Sequence, residues 1–163
     1  MTLNLITDRT LADVNRANYL YEKIHRDGMT GLTPQEVTEW FSEMKGRYDL
    51  TDLNRVETAV RFLDALLLES GYLTRTTTRI NWGMSDVRTE AEMFRYLDNV
   101  RRIIRRFVVL PTTPSLPANM NNLNHNMANA IEQTLEDVHF LILQMLQNEL
   151  FTNEISCGEE DWV

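Results

Sequence analysis

Apolar residues recur at three- and four-residue steps through most of this chain, a period that one face of a helix can bury and a strand cannot. Leu11, Val14, Ala17, Tyr21 and Ile24 share such a face, which predicts a first helix over roughly residues 10–26, broken by Gly28 and Gly31. Thr33-Pro34-Gln35-Glu36 places a capping hydroxyl, a proline suited to the first helical position and a glutamate able to close a capping box, so a short second helix starts there and ends near Gly46. Thr51 reads as the cap of a third, central helix along Leu53, Val56, Val60, Leu63 and Leu67, stopped by Gly71. Thr89-Glu90-Ala91-Glu92 reads as a second capping box. It opens a fourth helix with Tyr96, Leu97, Val100, Ile103 and Phe107 inward. A last helix runs from about residue 124 to about Glu149 on Met127, Ile131, Leu135, Val138, Ile142 and Met145. The pattern predicts an all-α, bundle-like domain of about five helices over residues 1–149, then an acidic tail over 150–163.

Two connections do not fit a plain bundle. The Thr-rich run from Thr74 to Trp82 favours extended backbone and reads either as a surface loop pinned by Trp82 or as a small extended element. The stretch from Pro111 to Asn126 has three prolines and then an asparagine cluster, which predicts a long crossover rather than a helix.

Charge is divided along the chain. Acidic and basic residues balance through Arg106, whereas no Lys or Arg follows it, and Glu132, Glu136, Asp137, Glu149, Glu154, Glu159, Glu160 and Asp161 supply the whole net charge of −8. An acidic end repels phosphate, so direct nucleic-acid binding is not expected. The first thirty residues lack the plan of a signal peptide, and no apolar run approaches the roughly 18 residues of a membrane span. The expectation is a chain made in the cytoplasm and independent of membranes. One cysteine, Cys157, permits no internal disulfide.

Catalytic motifs are lacking: there is no Gly-rich phosphate loop and no nucleophile elbow. The one arrangement that suggests an enzyme is a pair of Glu-x-x-His segments, Glu22 with His25 and Glu136 with His139, to which Glu57 and Glu92 would add the remaining carboxylates of a di-metal bundle site. At about 100° per residue both histidines fall at the edge of their apolar stripes and the two paired glutamates outside them, so the ligands point away from a core. The expectation is no catalytic residue, no metal and no cofactor.

Arg101, Arg102, Arg105 and Arg106 form two i, i+4 pairs of like charge, which costs an isolated helix a few tenths of a kcal/mol per pair unless something offsets it. Asp98, the helix C-terminus, and Glu132 and Glu136 on a last helix returning antiparallel are the local candidates. The sharper expectation is an interface in which these arginines meet an acidic surface of a neighbouring subunit. The segment Glu154, Glu159, Glu160 and Asp161 would supply it, with Trp162 as an aromatic anchor and Trp82 as a further contact. A buried cluster of titratable groups built around an ion or small molecule would contradict this reading.

Ile6-Thr7-Asp8-Arg9-Thr10, Met44-Lys45-Gly46-Arg47-Tyr48, Thr51-Asp52-Leu53-Asn54-Arg55-Val56, Arg95-Tyr96-Leu97 and Ile131-Glu132 together resemble a family of small structural proteins from the tail and baseplate region of tailed phages and prophages of Gram-positive bacteria. The resemblance covers most of the chain, although its final Asp161-Trp162-Val163 departs from the endings of that family. It implies a non-enzymatic virion protein that assembles in the tail, baseplate or host-recognition apparatus, with other virion proteins and copies of itself as partners. A cellular helical adaptor or regulator is the alternative, and a di-metal carboxylate enzyme stands behind both.

Overall fold

Capping chemistry sets where the helices begin. In the computed structural model, which describes residues 3–154, five α-helices follow one another. They are α1 (Leu11–Asp27), α2 (Pro34–Phe41), α3 (Leu50–Glu69), α4 (Glu90–Ile104) and α5 (His125–Glu154), with a 3-10 turn at Met29–Gly31. The fold is an all-α bundle, and no strand occurs among the described residues. Thr10 and Thr33 cap α1 and α2 through complete capping boxes with Asp13 and Glu36. The cap of α3 is Asp49 rather than Thr51: its carboxylate accepts from the Thr51 amide at 2.9 Å while Asp52 reaches back to the Asp49 amide at 2.7 Å. Thr89 caps α4, but Glu92 leaves the box half made because its carboxylate turns to Arg95. α5 continues five residues beyond Glu149, so residues 150–154 belong to it and not to a tail.

The core lies between α3, α4 and α5, where Leu53, Val56, Val60, Leu63 and Leu67 meet Tyr96, Leu97, Val100 and Ile103 on one side and Ile131, Leu135, Val138 and Ile142 on the other. All three helices point the same way. Along α3 and α5, Arg55 meets Glu132, Phe62 meets His139, and Leu67 shares a niche with Leu141 and Met145. Along α3 and α4, Glu57 meets Arg95, and Leu67 shares that same niche with Phe107 just past the end of α4.

This parallel order explains the two unusual connections. A 20-residue helix is about 30 Å long, so each return to its starting end needs at least nine or ten residues of extended chain. The Thr-rich run is such a return span. It makes no sheet because side-chain amides replace a strand partner: Asn99 accepts from the Thr77 amide at 3.0 Å and donates to its carbonyl at 2.7 Å. Asn54 does the same for Trp82, at 2.8 and 3.1 Å, and Glu57 accepts from the Arg79 amide at 2.8 Å. The Pro-containing return packs Leu116, Met120 and Leu123 on the core and is held by Thr113 on Asp137 at 2.6 Å.

α1 and α2 build a second, smaller core from Ala17, Leu20, Leu32 and Met44, with Ile24, Val37 and Trp40 partly buried around it. The inward face of α1 is therefore rotated from the expected one: Leu20 is fully buried, while Leu11 and Tyr21 are exposed. α2 stops at Phe41, short of Gly46, and the glycine has a different task. A Cβ there would stand 2.0 Å from the Asp13 carbonyl oxygen, so only glycine lets this turn press against the start of α1.

Lys23 on α1 donates to Glu36 on α2 at 2.8 Å, and with the Thr33 amide it holds the Glu36 carboxyl at about 2, below its ordinary 4.5. A carboxyl depressed by folding adds stability that is complete above its unfolded value and is lost as pH falls through the folded one. Between about pH 5 and pH 2 the melting temperature is expected to fall more steeply in the native chain than in Glu36→Gln. Equal slopes for the two chains would remove this pair from the acid response.

Candidate functional site

The four arginines of α4 do not act as one stripe. Arg101 is half-buried and donates to the carbonyls of Pro117 and Ala118 at 2.7 and 2.8 Å, which fixes the second return span. Arg102 pairs with Asp98 at 2.6 Å and reaches the Arg75 carbonyl, holding that residue at φ 57° in the left-handed region. Arg106, beyond the last turn of α4, donates to the Leu73 carbonyl. The Arg105 side chain makes no hydrogen bond or ion pair with the described residues, and Arg102, Arg105 and Arg106 are all exposed.

Glu132 and Glu136 do not face these arginines, because α5 runs parallel to α4 and carries its early turns to the opposite end of the bundle. Glu136 is half-buried without an arginine, and burial, then Asp137 and Glu132, push its carboxyl up. Trp82 is 4% exposed and packs in the core with the Arg79 guanidinium 4.3 Å from its ring. It is a structural pin, not a surface contact. Glu154 closes α5, and Glu159, Glu160, Asp161 and Trp162 lie outside the described residues.

Glu132 belongs instead to a buried cluster that joins three parts of the chain. Arg9, in the segment before α1, donates to Glu132 at 2.6 Å and to Asp52 at 2.7 Å. Arg55 on α3 donates to Glu132 at 3.1 Å and also meets Asp52, while its outer nitrogen reaches the more exposed Glu43. The Ile6 amide gives Glu132 a further hydrogen bond at 2.6 Å. Two cations and two anions cancel at the centre. Burial pushes the Asp52 carboxyl up against the pull of the Asp49 amide and of both arginines. Burial works against the charge on Arg9, but Glu132 and Asp52 outweigh it and the guanidinium is raised. Nearby, the hydroxyls of Tyr48 and Tyr96 hydrogen-bond each other, and burial raises both phenols.

A second buried carboxylate, Glu57, is tied to Arg95 at 2.7 Å, and Arg95 also binds Glu92 at 2.9 Å. Both carboxylates considered as extra metal ligands are thus spent on one guanidinium. Glu22 and His25 are exposed on α1, where His25 lies against Tyr21, and His139 meets Phe62 edge-on from α5. Among the described residues, no three His, Cys, Asp or Glu side chains are grouped to hold a metal. The charged groups around Glu132 pair with one another, while the buried Nε of Arg9 has no partner among the described residues.

The surface offers more at the far end of the bundle, where α3 and α4 finish. Leu68, Tyr72, Leu73 and Val108 are exposed there beside Arg105 and Arg106, Val108 at 93%. Large apolar side chains beside cations suit a protein contact better than open water. No helix among the described residues is long and apolar enough to cross a membrane. No family model, curated protein or solved structure matches the chain.

Proposed function

We propose that this chain is a non-enzymatic structural or adaptor protein that works by docking other protein chains through the end of the bundle bearing Arg105, Arg106 and Val108. One contrast carries the reading. Arg9, Glu36, Asp52, Glu57 and Glu132, the buried charged residues among those described, all have partners inside the chain. The end of the bundle instead leaves an arginine and several large apolar side chains facing outward. Interior chemistry is used to fix the fold, and binding capacity is left at the surface.

The resemblance in Ile6–Thr10, Met44–Tyr48 and Thr51–Val56 extends the proposal to the tail or baseplate region of a phage particle, with virion proteins and further copies of the chain as partners. Quantitative mass spectrometry of purified native particles is expected to find the chain at a fixed ratio to the other tail-region proteins. Recovery with one cellular protein and none in particles would overturn the virion assignment in favour of a cellular adaptor.

A further inference from the structure

Two openings at the end of the bundle share residues. One, about 680 Å³, is lined by Arg102, Arg105 and Arg106 with the chain from Gly71 to Arg75. The other, about 280 Å³, is lined by Leu67, Phe107, Val108, Leu141 and Met145. Tyr72 and Arg106 border both, so a recess walled by arginine passes directly into an apolar niche. Counting Arg75, four guanidinium-bearing residues line the recess, and no carboxylate among the described residues lines either part. Of the four, only Arg102 has an ion-pair partner among the described residues, Asp98.

The recess is built before anything binds. Arg102 and Arg106 donate to the carbonyls of Arg75 and Leu73, which holds two guanidiniums at the wall and lowers the cost of ordering them around a ligand. Thr74 lines the same recess at 4% exposure, and its hydroxyl has no hydrogen-bond partner among the described residues. Buried hydroxyls are nearly always paired, so an unspent donor beside four arginines points to an acceptor supplied from outside the chain. The planar fork of arginine matches a carboxylate with two parallel bonds. A small free anion would use the guanidiniums and leave the niche unused. A nucleic-acid strand needs cations spaced along its backbone, whereas the surface next to Arg105 and Arg106 is apolar, with Leu68 and Val108 exposed. A protein segment can carry carboxylates and a large apolar side chain side by side.

We propose that this groove receives an acidic segment of a partner protein, with its carboxylates on Arg75, Arg105 and Arg106 and a neighbouring aromatic or large aliphatic side chain in the niche lined by Leu67 and Met145. The inference rests on the docking reading above and adds to it the chemistry of the partner. Charge complementarity selects the partner and its register, and the apolar side chain adds affinity that salt does not remove.

The probe is the end-blocked peptide Glu-Asp-Glu-Gly-Phe-Leu, titrated into the full-length chain and followed by NMR. Saturable shifts are expected at the amides of Thr74, Arg75 and Arg106 and at the methyl groups of Leu67, Val108 and Met145. Arg105→Glu is expected to weaken binding by about tenfold. That side chain makes no bond that holds the described fold, so the variant tests the groove and not folding. Arg61→Glu, which reverses an exposed arginine of α3 outside both openings, is expected to leave binding unchanged. No saturable shift, equal binding to the native chain and Arg105→Glu, or equal binding of the Gln-Asn-Gln-Gly-Phe-Leu peptide overturns the proposal. Tighter binding of inorganic phosphate or of a short oligothymidylate overturns it in favour of a phosphate ligand. Self-association of the native chain that is lost in Arg105→Glu and is not displaced by the peptide overturns it in favour of a second copy. If Arg105→Glu drops out of particles although the peptide never binds, docking at this end stands and the acidic partner falls.

Discussion

Glu132→Ala is expected to lower the free energy of unfolding by about 3–5 kcal/mol, the range for removing one member of a buried ion cluster. Glu132 is wholly buried and accepts from Arg9, from Arg55 and from the Ile6 amide. Without it, two guanidiniums with side chains 2% and 9% exposed are left with Asp52 between them and, for Arg55, the more exposed Glu43, and a backbone donor loses its acceptor. The penalty comes from what is left behind and not from the strength of the lost bonds. Asp98→Ala provides the contrast within the same protein. It removes an equally short ion pair to Arg102, but Arg102 is exposed, and the expected loss is below about 1 kcal/mol. Urea unfolding of both variants checks the pair of values. A Glu132→Ala chain that unfolds within about 1 kcal/mol of the native one would mean that the arginines find solvent when their partner goes, and that the cluster does not set the fold.

The helices were legible because period and caps are local properties. Thr33 and Thr89 start helices where the sequence puts them, and the stripes of α3, α4 and α5 are the buried faces. Helix direction was not legible from any one residue. Its trace was the length of the two connections, near twenty residues each, where neighbouring antiparallel helices need only about 2–8. Taking α5 as antiparallel put Glu132 opposite the α4 arginines, when it stands at the other end with Arg9 and Arg55.

The buried cluster had left a signal of its own. Glu132 follows Ala128 by four residues and precedes Leu135 by three, so it sits inside an apolar stripe. Glu57 between Leu53 and Val60, and Asn99 between Tyr96 and Ile103, are placed in the same way. A charged or amide side chain at such a position is not a flaw in the pattern but a sign that a partner waits in the core. The partner itself was hidden, because Arg9 lies in a segment with no periodicity and arrives only through the tertiary fold. Tyr21 shows the converse difficulty. Its apolar ring fits the α1 stripe as well as the Leu20 side chain does, and only the position of α2 decides which of the two is buried.

Trp82 tests whether the first return span is part of the scaffold or a surface element awaiting a partner. Trp82→Ala is expected to cost about 3–5 kcal/mol, because the ring fills the core beside α3 and a void would remain. Trp82→Phe is expected to cost only about 1–2 kcal/mol. The indole N–H has no hydrogen-bond partner among the described residues, so its removal breaks nothing. Asn54→Ala acts on the same span from the other side by leaving the Trp82 amide and carbonyl without their clamp, at about 1–3 kcal/mol. Because ring and clamp hold one residue, the double variant is expected to lose less than the two single losses added together. Faster proteolysis between Tyr72 and Val87 in Trp82→Ala would accompany the loss of stability. If Trp82→Ala kept its stability and its resistance to protease but failed to assemble, the tryptophan would be a contact and the span a docking element. With the ring buried and both backbone groups clamped by Asn54, the physical expectation is the reverse: the span is part of the scaffold, anchored where it meets the start of α3.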